Sequence, residues 1–239
     1  MWTELRLGIF SVSILGFICI CPLMVESIHS VVFHYFMIYM RKLCNVNVYV
    51  HGNKELLKEN HMYMSNHYEG VDYIVLYSVV TQPLSRPCYV IGKDDLLGRQ
   101  YPIKTLGSVV DFIVRLFYDS GYIIPYTRGD KESGVRVRKK AIEVLQNNNL
   151  LLFPEGRSWR KGACHEFKAG MFEVAEEYKH NIVPITLKYR NFDGKNKGEK
   201  CILADWLDID VDVYIHDKVD CKDHKLMLQE TFEKITSKN

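Results

Sequence analysis

The sequence predicts an α/β fold, with a mixed, largely parallel sheet covered by helices and preceded by an N-terminal membrane-associated helical segment. Two observations lead to this fold class. From residue 46 onward, short strand-like stretches alternate with stretches of helical periodicity, which favours a sheet with helices packed on it. Before them, the 19 residues 7–25 carry no charge and are long enough to cross a hydrocarbon core of about 30 Å as a helix.

The size and charge of the chain limit its domain organisation and its partners. A chain of 239 residues can bury one substantial core. We therefore expect membrane-anchoring helices over residues 1–44 and one α/β domain over residues 45–239. The 31 basic and 29 acidic residues leave a net charge of only +2, which does not indicate a nucleic-acid-binding or disordered chain.

Cysteine usage indicates a reducing compartment. The seven cysteines contain no Cys-x-x-Cys pair and no Cys/His cluster with zinc spacing, so free thiols are the simplest interpretation and no metal site is predicted. The sequence also has no Asn-x-Ser/Thr acceptor, which fits a domain that faces the cytosol.

More than one interpretation remains open for each of the two N-terminal segments. Residues 7–25 are either a retained membrane segment, which their length favours, or a cleaved signal peptide. Residues 28–42 have helical apolar spacing and end in Arg41 and Lys42. Such a helix would lie in the membrane interface or pack back on the first segment, or it would be a buried core helix. By the positive-inside tendency, these two basic residues favour a cytosolic position for the α/β domain that follows.

Alternation and turn signals predict the elements of the α/β domain. Pro125 confines its strand to the edge of the sheet or to its end, and Ser133 is the expected N-cap of the helix that the Asn run at 147–149 stops. Strands are predicted within residues 46–52, 61–66, 87–96, 121–130 and 182–189, with an apolar run at 150–156, and helices within 71–80, 133–149, 166–181 and 222–235.

The stretch 208–220 resembles a calcium-binding loop at first sight, because aspartates occupy alternate positions at its start. However, its sixth position is Val213 rather than Gly, and its twelfth is Val219 rather than Glu. Alternation of apolar residues with the aspartates is typical of a half-exposed strand, and we predict a strand here.

His67 and Asp72 form the first candidate catalytic pair, in the stretch MSNHYEGVDYIVL. Histidine can accept a proton near neutral pH, and a carboxylate on its other nitrogen fixes the tautomer. A tight turn into a helix would let the two side chains meet as a base and its orienting group. With no nucleophile nearby, the substrate would supply the hydroxyl. The alternative is that Asn66 or Asp72 caps a helix and His67 is a surface residue.

Basic residues follow two other strand-like stretches. Gly156 and Arg157 come after the apolar run in FPEGRSW, and Arg160, Lys161 and Lys168 follow. Guanidinium forks match phosphate oxygens, and lysines add compact charge. Arg128 similarly ends GYIIPYTR. The alternative for both stretches is a solvated basic surface.

Taken in order, these blocks resemble the glycerolipid acyltransferase family, whose best-known members are 1-acylglycerol-3-phosphate O-acyltransferases. The resemblance covers roughly residues 46–189. NHYEGVD is similar to the family's Asn-His-x-x-x-x-Asp block, which implies that His67 is the catalytic base and Asp72 its partner. GYIIPYTR is similar to the second block and implies that Arg128 contacts the acceptor's phosphate.

FPEGRS is similar to the family's third block, so the resemblance implies that Glu155, Gly156 and Arg157 bind the acceptor. NIVPITLKY resembles the fourth block, and Lys168 matches the family's lysine ahead of the next helix. One departure lies in the third block, whose usual form is Phe-Pro-Glu-Gly-Thr-Arg-Ser. This chain has no threonine between Gly156 and Arg157, which could move Arg157 relative to the phosphate.

The resemblance implies a membrane-associated enzyme that transfers a fatty acyl group from acyl-CoA to a lysophospholipid, foremost 1-acyl-sn-glycerol-3-phosphate, giving phosphatidic acid. Acyl-CoA would be a co-substrate, with no bound cofactor or metal. The expected partners are these two substrates and the lipid bilayer, without nucleic acid or an obligate protein partner. The expected location is the endoplasmic reticulum or another intracellular membrane.

Three alternatives remain. The acceptor could be another lysophospholipid, such as lysophosphatidylcholine or lysocardiolipin, used by an acyltransferase or a transacylase. The chain could be a non-catalytic lipid-binding protein of the same fold, although both members of the His67 and Asp72 pair are present. It could also be a hydrolase in which His67 activates water.

Overall fold

A computed structural model describes residues 26–59, 61–68, 71–81, 87–93, 122–158, 164–190 and 208–238. Its helices, apart from a 3-10 turn at Lys54–Lys58, are α1 (Glu26–Leu43), α2 (Val71–Val80), α3 (Lys131–Leu145), α4 (Gly170–Glu177) and α5 (His224–Thr236). Its strands are β1 (Asn47–Gly52), β2 (Met62–Ser65), β3 (Cys88–Lys93), β4 (Ile123–Tyr126), β5 (Asn149–Leu152), β6 (Ile182–Tyr189) and β7 (Asp210–Ile215).

The strands form a sheet in the order β1-β7-β6-β2-β5-β3-β4. β6 and β7 pair antiparallel, and the other neighbouring pairs are parallel, so the predicted mixed, largely parallel sheet is confirmed. β4 lies at one edge, as Pro125 predicted, because proline cannot donate to a further neighbouring strand.

Helices cover both faces of this sheet, and the central strand β2 contributes side chains to a hydrophobic core on each face. Successive side chains of a strand point to opposite faces. Accordingly, Tyr63 lies in the core that α1 and α2 cover, whereas Met62 and Met64 lie in the core covered by α3, α4 and α5. All four residues of β2 are buried, which places the chain that follows it at the centre of the molecule.

Helix α1 packs against the α/β domain. Met37 and Met40 are buried in the core shared with α2, and a 2.7 Å hydrogen bond joins His34 Nδ1 to Thr81 Oγ1 at the end of α2. Tyr35 and Tyr39 lie one turn apart and are exposed. One side of this helix thus matches the buried-core alternative, while another presents aromatic rings to the surroundings.

The uncharged segment 7–25 lies outside the described residues, so its membrane role stays a prediction, as does the division of the chain at residue 44. Among the residues that the structure describes, none of the helices combines the length and the apolar character needed to cross a bilayer.

Two local predictions need correction and one is confirmed. Asp130, not Ser133, caps α3, because its side chain accepts the Glu132 N–H, while Ser133 turns inward and accepts the Thr127 N–H. The helix predicted over 166–181 is confined to α4. The aspartate-rich stretch contains strand β7, as predicted, and Val211 and Val213 are fully buried.

Candidate active site

The candidate residues meet at the carboxyl ends of neighbouring parallel strands. His67 follows β2, Glu155 follows β5 and Tyr189 ends β6, and these strands are adjacent in the sheet. Arg128 follows β4, further along the same edge. Because parallel strands point the same way, the loops after them emerge together, and ligands of open α/β sheets bind at this edge.

His67 and Asp72 are in direct contact. The Nδ1 atom of His67 lies 2.8 Å from Oδ2 of Asp72. Because a carboxylate only accepts hydrogen bonds, this contact puts a proton on Nδ1 and leaves the lone pair on Nε2. No described residue forms a hydrogen bond with that Nε2 atom, and the imidazole is 14% exposed. The arrangement is that of a general base held by its orienting carboxylate.

The Asp72 carboxylate is fully buried at the start of α2. Its Oδ2 atom also accepts the Tyr68 N–H over 2.6 Å, and its Oδ1 atom accepts the Tyr189 hydroxyl. Buried charges require such donors to replace water. These contacts distinguish Asp72 from a helix cap, which would accept from the N–H groups of the first helical turn.

Aromatic packing fixes the plane of the His67 ring. The Phe153 ring stacks on the imidazole with centroids 4.0 Å apart and an interplanar angle of 18°. Tyr73 meets both rings edge-on, at 5.8 Å from His67 and 5.1 Å from Phe153. Rotation of the imidazole about its side-chain bonds would break this packing together with the hydrogen bond to Asp72.

Glu155 holds the backbone on both sides of the site. Its buried carboxylate accepts the His67 N–H over 2.9 Å at Oε1 and the His165 N–H over 2.8 Å at Oε2. Burial raises the pKa of Glu155 above its ordinary value of 4.5, and the two backbone donors oppose this shift. The sequence did not predict this contact, and the role of Glu155 in acceptor binding stays a prediction.

Asn66 extends the pairing of β2 with β6 by one residue beyond Ser65. Its Nδ2 donates to the Leu187 carbonyl over 2.9 Å, and its Oδ1 accepts the Leu187 N–H over 2.8 Å. A side-chain amide has one donor and one acceptor in the geometry of a backbone pair, which suits it to this place. His67 therefore follows a residue that is tied to β6 from both sides of its amide.

Three cationic residues surround Gly156. An Nη2 group of Arg128 donates to the Gly156 carbonyl, the Lys168 backbone N–H donates to Pro154 O over 2.8 Å, and Arg157 follows Gly156 directly. Gly156 has φ +66°, and a Cβ there would lie 3.9 Å from Lys168 Cγ. A left-handed turn thus gathers exposed positive charges next to the loop of the His67 pair, as a phosphate site requires.

Arg157 points to His165, a residue that sequence reasoning did not single out. An Nη2 group of Arg157 lies 2.9 Å from His165 Nδ1, which can only accept from a guanidinium. Desolvation lowers the pKa of His165, and the positive charges of Arg157 and Lys168 lower it further, which keeps the imidazole neutral and able to accept.

The structure places the predicted site residues in two adjoining groups. His67 and Asp72 form one, and Arg128, Gly156, Arg157 and Lys168 form the other, with Glu155 between them. Arg160 and Lys161 lie outside the described residues. Sequence reasoning missed Tyr189, Phe153 and the positioning contacts of Asn66, although all three residues stand within or beside the matching blocks.

One further group of candidate ligands lies at the start of α5. Glu176, Asp223 and His224 place their ligand atoms within 4.8 Å of one another. His224 Nδ1 bonds Glu176 Oε2 over 2.7 Å, and Asp223 caps α5. These internal contacts account for the arrangement, and we assign it no metal.

A buried carboxylate and a histidine base at the carboxyl edge of an α/β sheet, beside a cationic turn, define a class of group-transfer or hydrolytic sites. The family model described as Acyltransferase matches residues 47–188, which is more than half of the chain. The chain belongs to the acyltransferase family.

The fold is similar to that of a solved structure, the 1-acyl-sn-glycerophosphate (LPA) acyltransferase PlsC from Thermotoga maritima. The TM-score is 0.65 with 17% sequence identity, and the match covers 100% of this chain and 96% of that chain. At this identity the likeness shows the fold. A search of curated proteins gave no match.

Proposed function

We propose that this protein transfers a fatty acyl group from acyl-CoA to the free hydroxyl of a lysophospholipid, foremost 1-acyl-sn-glycerol-3-phosphate, giving phosphatidic acid. The observation that carries the proposal is the 2.8 Å contact between His67 Nδ1 and the buried Asp72 carboxylate in a member of the acyltransferase family. It provides a base at Nε2 that can activate the acceptor hydroxyl directly.

The reaction would proceed as follows. Nε2 of His67 removes the proton of the acceptor hydroxyl as its oxygen attacks the thioester carbonyl carbon. Asp72 stabilises the imidazolium that forms. When the carbon–sulfur bond breaks, the imidazolium returns the proton to the leaving thiolate of CoA. The products are the ester and free CoA, and His67 is again neutral.

Acceptor recognition would rest on the cationic turn around Gly156. Arg157 has a planar fork of donors suited to a phosphate, and Lys168 adds a compact charge. The likeness to the fold of PlsC, an acyltransferase for 1-acyl-sn-glycerophosphate by its name, is consistent with this acceptor. The proposal includes no metal and no bound cofactor.

Membrane association is part of the proposal. Residues 7–25 would anchor the chain in the endoplasmic reticulum or another intracellular membrane, with the α/β domain in the cytosol. The exposed Tyr35 and Tyr39 on α1 support this, since tyrosine is favoured at the membrane interface. Protease digestion of sealed microsomes with the cytosolic face outward tests it, and a protected α/β domain would contradict it.

The test of the reaction compares purified wild type with His67→Ala, supplied with labelled acyl-CoA and 1-acyl-sn-glycerol-3-phosphate. We expect a loss of at least about a hundredfold in turnover, the usual scale of general-base catalysis. His51→Ala is the matched control, because His51 also contacts a carboxylate, Asp212, at 2.7 Å but lies outside the site. It should keep the wild-type rate.

The products separate the remaining functions. Diacyl product supports transfer, whereas free fatty acid released in the presence of acceptor would identify a hydrolase. Equal turnover of wild type and His67→Ala would refute the base assignment. Lipid binding without turnover of any acceptor would identify a non-catalytic binding protein.

A further inference from the structure

The carboxylate of Asp72 is bound on both of its oxygens by groups from distant parts of the chain. His67 Nδ1 and the Tyr68 N–H bind Oδ2, and the hydroxyl of Tyr189 donates to Oδ1. Tyr189 lies 117 residues after Asp72 and ends β6. A side chain of the sheet therefore reaches into the pair that the catalytic loop and α2 form.

We propose that Tyr189 is a positioning residue for the His67 and Asp72 pair: its hydroxyl holds Oδ1 of Asp72 so that Oδ2 stays aligned with His67 Nδ1. The inference rests on the proposed acyl transfer. Among the described residues, Tyr189 shares no hydrogen bond or ring contact with the His67 imidazole, and on this proposal it acts through Asp72 rather than on the substrates.

The end of β6 is fixed firmly enough to serve as such a support. Two residues before Tyr189, the Leu187 backbone makes both of its hydrogen bonds with the Asn66 side chain. One residue after it, Arg190 binds Asp212 through Nε and Nη2, each at 2.6 Å. The hydrogen bonds from Arg190 lower the pKa of Asp212 to about 2, so this pair stays ionised across the working pH range.

The Tyr189 ring is also held from the side. It meets the Tyr68 ring edge-on, with centroids 5.2 Å apart and an interplanar angle of 74°. Tyr68 in turn donates its backbone N–H to Asp72. The packing of Tyr189 on Tyr68 and the hydroxyl contact with Asp72 thus both help to hold the Asp72 carboxylate. Phenylalanine at position 189 would keep the ring packing and lose the hydroxyl contact.

Loss of the hydroxyl has two consequences for the pair. The carboxylate loses the donor that fixes its orientation, so it holds the imidazole less firmly and the rate of the chemical step falls. Its negative charge is also less compensated and stabilises the imidazolium form of His67 more strongly, so that the neutral base is regained only at higher pH.

The experiment measures kcat, KM and the pH profile of kcat/KM for acyl transfer by the wild type, Tyr189→Phe and Tyr63→Phe. Tyr63 is the matched control, since its buried hydroxyl donates to the Leu56 carbonyl over 3.1 Å, away from the pair. For Tyr189→Phe we expect about a tenfold lower kcat, the scale of one hydrogen bond to a charged group. We expect unchanged KM for both substrates and an acid limb displaced to higher pH.

Tyr63→Phe should lower the unfolding temperature and leave the pH profile where it is. A Tyr189→Phe protein with wild-type kcat and pH profile overturns the inference, and so does a lower kcat with an unmoved acid limb, because a merely structural role would give that result. If the wild type itself transfers no acyl group, the proposed function fails and the inference fails with it. If the wild type is active and only the Tyr189→Phe result differs from expectation, the inference alone fails.

Discussion

The backbone N–H of His67 donates to Oε1 of Glu155 over 2.9 Å, so a carboxylate from the loop after β5 holds the histidine of the loop after β2. The other oxygen of Glu155 holds His165. The two loops that carry the candidate base and the candidate phosphate site are therefore tied through one buried side chain, and a change in Glu155 should affect both.

Glu155→Gln tests the direction in which burial shifts the pKa of Glu155. Burial raises the pKa of Glu155, so its contribution to stability is complete below 4.5, the ordinary value, and declines as the pH rises through the raised pKa. Glutamine does not titrate and adds only a constant loss of one hydrogen bond. The wild-type free energy of unfolding minus that of the variant should fall as pH rises above about 4.5 and then level off. Urea denaturation across this pH range measures it.

Glu143→Gln serves as the control for that series, because Glu143 is an α3 residue that pairs with Lys140, and its side chain is 49% exposed. Its difference from the wild type should vary little over the same range. A Glu155→Gln difference that rises with pH would contradict the assigned direction.

Asp72→Asn should lower kcat by about a thousandfold or more, the scale seen when the orienting carboxylate of a histidine base is replaced by an amide. An amide that donates to Nδ1 moves the imidazole proton to Nε2, where the base is needed. Single-turnover transfer of labelled acyl groups measures the effect. Asp220→Asn, a change at a carboxylate that is 76% exposed, should match the wild type.

Asn66→Ala should destabilise the fold by about 2–4 kcal/mol, because it leaves the buried N–H and C=O of Leu187 without their partners. It should also lower kcat at least about tenfold, since His67 loses its link to β6. Asn149→Ala is the comparison. Asn149 is also buried, and its side-chain oxygen accepts the His61 N–H, but it lies at the start of β5, at the opposite end of the strand from the His67 and Asp72 pair. It should cost stability without changing kcat of the folded protein, and equal kcat effects in the two variants would contradict the assignment.

Arg157→Ala should raise KM for the phosphate-bearing acceptor by about ten- to a hundredfold, as expected for a charged hydrogen bond, with kcat and KM for acyl-CoA kept. Arg136→Ala removes an arginine of α3 whose contacts are with Asp130 and Glu132, and it should leave all three constants unchanged. Steady-state kinetics of both variants measure these three constants. An unchanged acceptor KM in Arg157→Ala would remove this residue from the phosphate site.

Gly156→Ala should destabilise by about 1–2 kcal/mol, because φ is +66° while the nearest atom to a new Cβ is 3.9 Å away. Gly52→Ala combines φ +89° with a Cβ placed 1.9 Å from the Ile215 carbonyl oxygen, so the backbone of β7 would have to move. Thermal unfolding should rank Gly52→Ala as far more damaging. The opposite ranking would contradict the geometry of both turns.

Much of the fold followed from local patterns. Alternation in residues 46–52 and 208–220 predicted strands that the structure confirms, because half-buried strands need an apolar residue at every second position. The cap of α3 did not follow, since Asp130 and Ser133 are both good caps in sequence, and only the Thr127 N–H, brought in by the fold, decides which of them turns inward.

By itself, the sequence determined the α/β class, the spacing that lets His67 meet Asp72, and the cationic residues beside Gly156, because these depend on neighbours within a few positions. Only the tertiary structure decided that Glu155 ties two loops, that Asn66 clamps β6 and that Tyr189 reaches Asp72. Those contacts join residues 88 to 121 positions apart, and their partners are set by which strands lie side by side in the sheet.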